Sequence, residues 1–183
     1  LLAANAASAQ SSAPPPAVQA VMDKVTQIAA RYAKQLDGFF GDTHALLLAS
    51  GEGQDSPLYA QLKLVLDGFR TESGAYYVYC LIDQDPADDH FEITVDGSAA
   101  PDDWLNPYTT ESQFVAALNG TPTPAPSAWN DDEAGNKPVW SAFAPIHDST
   151  GKVVAILGVD YPAPEILDYP QWNRDSEEFA AHE

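Results

Sequence analysis

Two apolar runs near the end of the chain leave few folds open. Residues 139–144 and 152–160 are dominated by aliphatic and aromatic side chains. The connection His147-Asp148-Ser149-Thr150-Gly151 is polar and ends in Gly, which predicts an antiparallel hairpin. A third run, residues 75–82, holds Tyr76, Tyr77, Val78, Tyr79 and Cys80. Aromatic and β-branched residues dominate it, so it predicts a strand buried on both faces. Tyr77 and Tyr79 share one face, while Tyr76, Val78 and Cys80 share the other. Residues 91–95 alternate and read as a partner strand, ended by Asp96-Gly97.

Upstream, apolar residues fall at Val18, Val21, Met22, Val25, Ile28, Ala29, Tyr32, Leu36, Phe39 and Phe40. The spacing alternates between three and four, which predicts one long amphipathic helix over 18–40. Asp37-Gly38 and Gly41-Asp42 predict a bend or stop near residue 41. Ser56-Pro57 supplies an N-cap and a first-turn Pro for a second helix. Its stripe is Tyr59, Leu62, Val65, Leu66 and Phe69, and Gly74 closes it. A short helix is expected over 111–118, a Pro-rich loop over 121–127 and an acidic turn over 130–136. After residue 160, Pro162, Pro164 and Pro170 predict fading order. The layout is α+β: an antiparallel sheet with helices on one side. The long first helix needs a cover for its stripe, either the sheet or the same helix of a second copy.

Charge disfavours several partners. The chain of 183 residues carries 27 acidic and 8 basic side chains, a formal net charge of −19. Phosphate recognition needs a basic stripe, so the charge argues against nucleic acid and disfavours anionic membrane surfaces. The apolar share of 45% is enough to support a packed core despite that charge. Cys80 is the sole cysteine, which excludes an internal disulfide and a thiolate metal site. No run reaches the 18 to 20 apolar residues of a membrane span. Residues 1–10 read as a signal-peptide tail with Ala7-Ser8-Ala9 as its cleavage site, as the outer end of a membrane helix, or as a flexible Ala-rich leader. Either of the first two puts the remainder outside the cytoplasmic membrane.

Several features of the hairpin go together: Ala144-Pro145-Ile146, then Asp148 to Gly151, then an aliphatic strand from Val153 to Leu157, then Gly158-Val159-Asp160. This sequence resembles the closing hairpin of Cache domains, also called PDC or extracytoplasmic PAS-like sensor domains. Residues 76–81 are similar to the first sheet strand of that family. Asp103-Trp104 and Pro107-Tyr108 sit where it carries an aromatic pocket wall, and helix 18–40 resembles its dimerising N-terminal helix. The resemblance implies a single Cache module over 18–161, a leader or linker over 1–17, and a tail over 162–183 leading towards a possible membrane helix. It also implies a periplasmic small-molecule sensor of a membrane-anchored histidine kinase, chemoreceptor or diguanylate cyclase. Such a module has no catalysis, cofactor or metal of its own, and forms a possible homodimer through helix 18–40.

The site residues follow from the same resemblance and from chemistry. Asp160 is the only charge between Lys152 and Glu165. A carboxylate at a strand end accepts hydrogen bonds from a ligand amine, the role of the matching Asp in amino-acid-binding relatives. The bland alternative is a turn-capping Asp. Trp104, Tyr108 and Trp129 lie on expected loops, as pocket walls or as lids over the core. Asp131 is either a ligand contact or part of a solvated turn. Tyr77 and Tyr79 are candidates from the first strand. Ser141 on the hairpin is either a ligand contact or core.

One departure bears on the ligand. Amino-acid-binding relatives carry an Arg two positions before the Trp, and here that position is Asp102. The three arginines, Arg31, Arg70 and Arg174, lie on expected helix or tail. A ligand carboxylate would need Lys137, backbone amides or hydroxyls, so an amine, cationic or neutral ligand is expected. Asp83-x-Asp85 opens like a calcium loop. It has Asp88 at loop position six, where Gly is needed, and Thr94 at twelve, where Glu is needed. A looser cation site, or solvated turns, remain for residues 83–89 and 131–133. His44, His90, His147 and His182 show no metal-ligand spacing. Two further readings stay open: an exported hydrolase pairing Asp160 with Asp131, and an exported interaction module.

Overall fold

A computed structural model describes residues 13–133 and 135–180. Most of the expected leader, residues 1–12, lies outside the described residues. Helix α1 spans Pro16–Leu36, α2 Phe39–Ser50 and α3 Pro57–Ser73. Strands β1 Tyr77–Ile82, β2 His90–Asp96 and β3 Pro107–Thr109 follow, then α4 Ser112–Leu118. The short strands β4 Thr123–Pro124 and β5 Trp129–Asp131 precede the hairpin of β6 Lys137–His147 and β7 Val153–Pro162. The helix α5, Glu177–Ala180, closes the described chain. All strand pairs of the sheet are antiparallel, in the order β3-β2-β1-β7-β6-β4, and β5 also pairs with β6.

The single helix expected over 18–40 is two helices, broken earlier than residue 41. Gly38 takes φ of +82°, a conformation open to glycine. The break is fixed by the hairpin turn. Asp37 accepts hydrogen bonds from the His147 backbone N–H and Nδ1, both at 2.9 Å, and the Gly38 N–H donates to the His147 carbonyl at 2.9 Å. Burial opposes the charge on Asp37, but hydrogen bonds from His147 and Lys34 outweigh it and hold the carboxyl below its usual range. A Cβ on Gly41 would run into the His147 carbonyl oxygen, so the start of α2 crosses the turn closely.

The stripe of α1 is spent inside the molecule. Val18, Val21, Val25, Ala29, Tyr32 and Leu36 are buried, and α1 lies along β6 and β7. Its own sheet is the cover for this stripe, while Phe39, at the far end of the expected helix 18–40, is 83% exposed. The sheet face beneath α1 and α3 carries Val78, Cys80, Trp140, Ala142, Leu157 and Val159. The opposite face carries Leu81, Phe91, Ile93, Phe143 and Ile156, capped by Phe114 of α4. The Phe114 ring sits 4.7 Å from Phe143 and 5.4 Å from Phe91 between centroids. This second core is small and covers only part of its face, and the uncovered part becomes a cavity.

Order does not fade after residue 160. β7 runs on to Pro162, and Ala163 and Ile166 are buried in the core. The chain then folds back to a parallel bridge between Ala128 and Asn173. The prolines sit at the starts of short 3-10 turns, Pro164–Asp168 and Pro170–Trp172, where a missing N–H costs nothing. Residues 163–176 are thus structural, where the sequence suggested a tail.

Candidate functional site

Register builds the floor of the cavity. Tyr77 of β1 stands opposite Asp160 of β7, and Asp160 stands opposite Ser141 of β6. Residues in one row of a sheet point to one face, so these three side chains emerge together. The next row on that face is Tyr79, Gly158 and Phe143. Gly158 is where the Tyr79 ring lies down: a Cβ there would be 2.5 Å from Tyr79 Cε2. From that position the Tyr79 hydroxyl donates to Asp160 Oδ1 at 3.3 Å.

The walls come from the edges. Trp129 on β5 donates from Nε1 to Ser141 Oγ at 3.0 Å. Tyr108 on β3 donates its hydroxyl to Asp102. The Tyr77 hydroxyl donates to Glu133 Oε2 at 3.1 Å. Asp96, at the end of β2, accepts from the Ser98 N–H and hydroxyl and from the Asp102 N–H, which ties the 97–102 loop to the rim. Together these groups enclose a cavity of about 460 Å³, within the range of small-molecule sites.

Of the eight residues expected to form the site, seven line this cavity: Tyr77, Tyr79, Tyr108, Trp129, Asp131, Ser141 and Asp160. Trp104 does not. Its indole stands edge-on to Tyr59 of α3, 6.2 Å between centroids, and covers Gly53, where a Cβ would lie 3.1 Å from the ring. It serves as a lid on the helix-side core. Asp131 is not solvated, being only 4% exposed at the end of β5 opposite Lys137. Lys137 itself is exposed and is absent from the lining.

The electrostatics are one-sided. Asp96, Asp102 and Glu111 line one part of the cavity, with Asp131, Asp132, Glu133 and Asp160 elsewhere on its walls. Against these seven carboxyl groups the only basic lining residue among the described residues is Arg174. Asp160 is 5% exposed, and burial raises its pKa to about 7 against the pull of hydrogen bonds from Ser141 and Tyr79. Desolvation and the neighbouring carboxylates push the Tyr77, Tyr79 and Tyr108 hydroxyls up as well, so all three remain hydrogen-bond donors at neutral pH.

Other candidates fall outside the site. Cys80 is buried on the helix side of the sheet, and burial pushes its thiol up, which leaves it an unreactive core residue. His44 is buried against Thr94 Oγ1 at 2.7 Å, and desolvation lowers its pKa to about 4. Among the described residues no group of three His, Cys, Asp or Glu side chains is arranged to hold a metal ion, so the acidic runs at 83–89 and 131–133 form no such site there. Arg174 is the residue the sequence concealed. It reaches the cavity through the Ala128–Asn173 bridge, and no local pattern announces a bridge between residues so far apart in the chain.

No protein-family model matches the chain, and no curated protein matches it. Solved structures do. The sensor domain of the Vibrio cholerae histidine kinase DctB aligns over 79% of this chain and 51% of its own length, with TM-score 0.55 at 12% identity. The sensor domain of Escherichia coli DcuS aligns over 84% of this chain and 96% of its own, with TM-score 0.51 at 14% identity. The ligand-binding domain of the Campylobacter jejuni chemoreceptor Tlp3, solved with 4-methylisoleucine, aligns over 84% of this chain with TM-score 0.45 at 16% identity. The chain spans 63% of that Tlp3 domain. An N-terminal helix, a curled antiparallel sheet and flanking helices are common to this chain and the DctB and DcuS sensor domains, so its fold is the PAS-like α+β fold of the Cache type.

Proposed function

We propose that the chain is the extracytoplasmic ligand-binding module of a membrane-anchored signalling receptor, and that its ligand is a small organic amine cation. The carrying observation is the lining of the cavity: seven carboxyl groups, Asp160 on the floor among them, against a single Arg. A ligand carboxylate entering this space meets like charge, whereas an ammonium group finds charge-assisted acceptors at Asp160 and Asp131. Trp129, Tyr77, Tyr79 and Tyr108 supply aromatic faces and edges, which favour a cation with an apolar body. The carboxyl groups are spread around the cavity instead of converging on one point, which suits an extended organic cation better than a metal ion.

Occupancy acts by population shift. The ligand touches side chains of β1, β5, β6 and β7 together, and it biases whichever arrangement of these elements closes on it more tightly. The bias is limited to its differential affinity for the two arrangements. Membrane anchoring and the identity of the output domain belong to the same proposal. Its support is the fold common to this chain and the sensor domains of the histidine kinase DctB and of DcuS.

A thermal-shift panel of monoamines, diamines, amino acids and dicarboxylates tests the reading. A ligand at a hundred times its dissociation constant adds about 2.7 kcal/mol to folded-state stability. Amines are expected to raise the melting temperature and dicarboxylates to leave it unchanged. Turnover of an added compound, instead of stable binding, would favour an acid–base pair of Asp160 and Asp131.

A further inference from the structure

Arg174 combines a fixed backbone with a loosely held side chain. Its N–H donates to the Ala128 carbonyl at 2.9 Å, and the Ala128 N–H donates to the Trp172 carbonyl at 2.8 Å. On either side of it, Asn173 Nδ2 donates to Asn130 Oδ1 at 2.7 Å, and Asp175 Oδ2 accepts from the Asn130 N–H at 2.6 Å. The backbone is therefore stitched to the strand that carries Trp129. The guanidinium has much weaker ties: one ion pair to Glu111 at 3.7 Å, and a position 6.0 Å from the Trp129 ring centroid. Its side chain is 46% exposed.

We propose that Arg174 is a tethered competitor: its guanidinium occupies the aromatic and acidic surfaces that a cationic ligand uses, and the ligand must displace it to bind. This rests on the amine reading above. The chemistry is direct. A ligand cation prefers the face of Trp129 and the carboxylate of Glu111 for the reasons that bring Arg174 there. The pinned backbone keeps the competitor at high local concentration, as any tether does. The long, half-exposed ion pair makes the side chain easy to displace, since pairs of this kind contribute little. Arg174 then sets a threshold on ligand concentration and favours ligands whose cation outcompetes one guanidinium. A role as a clamp for a ligand carboxylate is disfavoured by the seven carboxyl groups around the same space.

The test is a calorimetric titration of putrescine into the wild-type chain and the R174Q, R174K and R70Q variants. Arg70 pairs with Asp67 on α3, at 2.7 Å and away from the cavity lining, so R70Q removes the same charge elsewhere. R174Q is expected to bind putrescine about fivefold more tightly, the gain from losing a competitor held by one exposed ion pair. R174K is expected to stay near wild type, and R70Q within about twofold of it. Weaker or unchanged binding by R174Q, with wild type binding normally, would overturn the proposal, because a strut or a ligand contact weakens binding when removed. Tightening of the same size in R70Q would also overturn it, since the effect would then be net charge alone. If neither wild type nor R174Q binds any amine, the amine reading fails, and this inference fails with it.

Discussion

Replacing Asp160 by Asn should make the protein more stable and weaken its binding of an amine. The carboxyl is 5% exposed, and burial raises its pKa from 3.8 to about 7. A carboxyl whose folded pKa lies above its unfolded value binds its proton more tightly when folded. Its stability contribution is therefore fully present below the unfolded pKa and is lost as pH rises towards the folded one. A rise of that size corresponds to about 4 kcal/mol lost by pH 8, and to only about 1 kcal/mol lost by pH 4.5. Asn keeps an acceptor for the Tyr79 hydroxyl and never acquires the buried charge. The assay is urea or thermal unfolding of both proteins at several pH values, read as the difference between them. Asp37 and His44 also carry shifted pKa values, but they are common to both proteins and cancel in that difference. The Asn variant should gain about 3 kcal/mol relative to wild type between pH 4.5 and 8, roughly 6 to 12 °C in Tm for a chain of this size. A difference that stays flat across that range would refute the reasoning, because the buried carboxyl would then have an ordinary pKa.

Two further outcomes follow from the same structure. Gly158→Ala places a Cβ 2.5 Å from the Tyr79 ring, so it should cost about 1–3 kcal/mol by urea unfolding and weaken ligand binding through the lost Tyr79–Asp160 contact. A net charge of −19 repels itself, so Tm measured by calorimetry should rise as sodium chloride is raised from about 0.05 to 1 M; a falling Tm would contradict this.

The parts of the fold legible in the sequence are those set by local chemistry. Ser56 caps α3 by accepting from the Leu58 N–H at 3.3 Å, with Pro57 in the first turn, as the Ser-Pro pair implies. The hairpin turn is ordered by Asp148, which accepts from Thr150 and Lys152 N–H groups. Strand periodicity put Tyr77 and Tyr79 on one face, and register brings Asp160 and Ser141 to the same face. What local chemistry could not fix depended on contacts between distant segments. The break at Asp37-Gly38 is held by His147, 110 residues away in the chain. Trp104 follows Gly53 and Tyr59 to the helix side. Asp131 is buried because β5 pairs with β6, whereas Asp132 and Glu133 in the same acidic run stay exposed. Arg174 enters the site through the segment after residue 160, where the prolines predict fading order and the bridge from Ala128 to Asn173 supplies it.

The central claim is that this cavity selects an amine cation through Asp160. Calorimetric titration at pH 8 of putrescine and of succinate, each into wild type and Asp160→Asn, tests it most directly. Wild type should bind putrescine at a single saturable site, the Asn variant should lose at least about tenfold in affinity, the order expected for a charged hydrogen-bond acceptor, and succinate should bind neither. Succinate binding to wild type without putrescine binding, or equal putrescine affinity in the two proteins, would contradict the account.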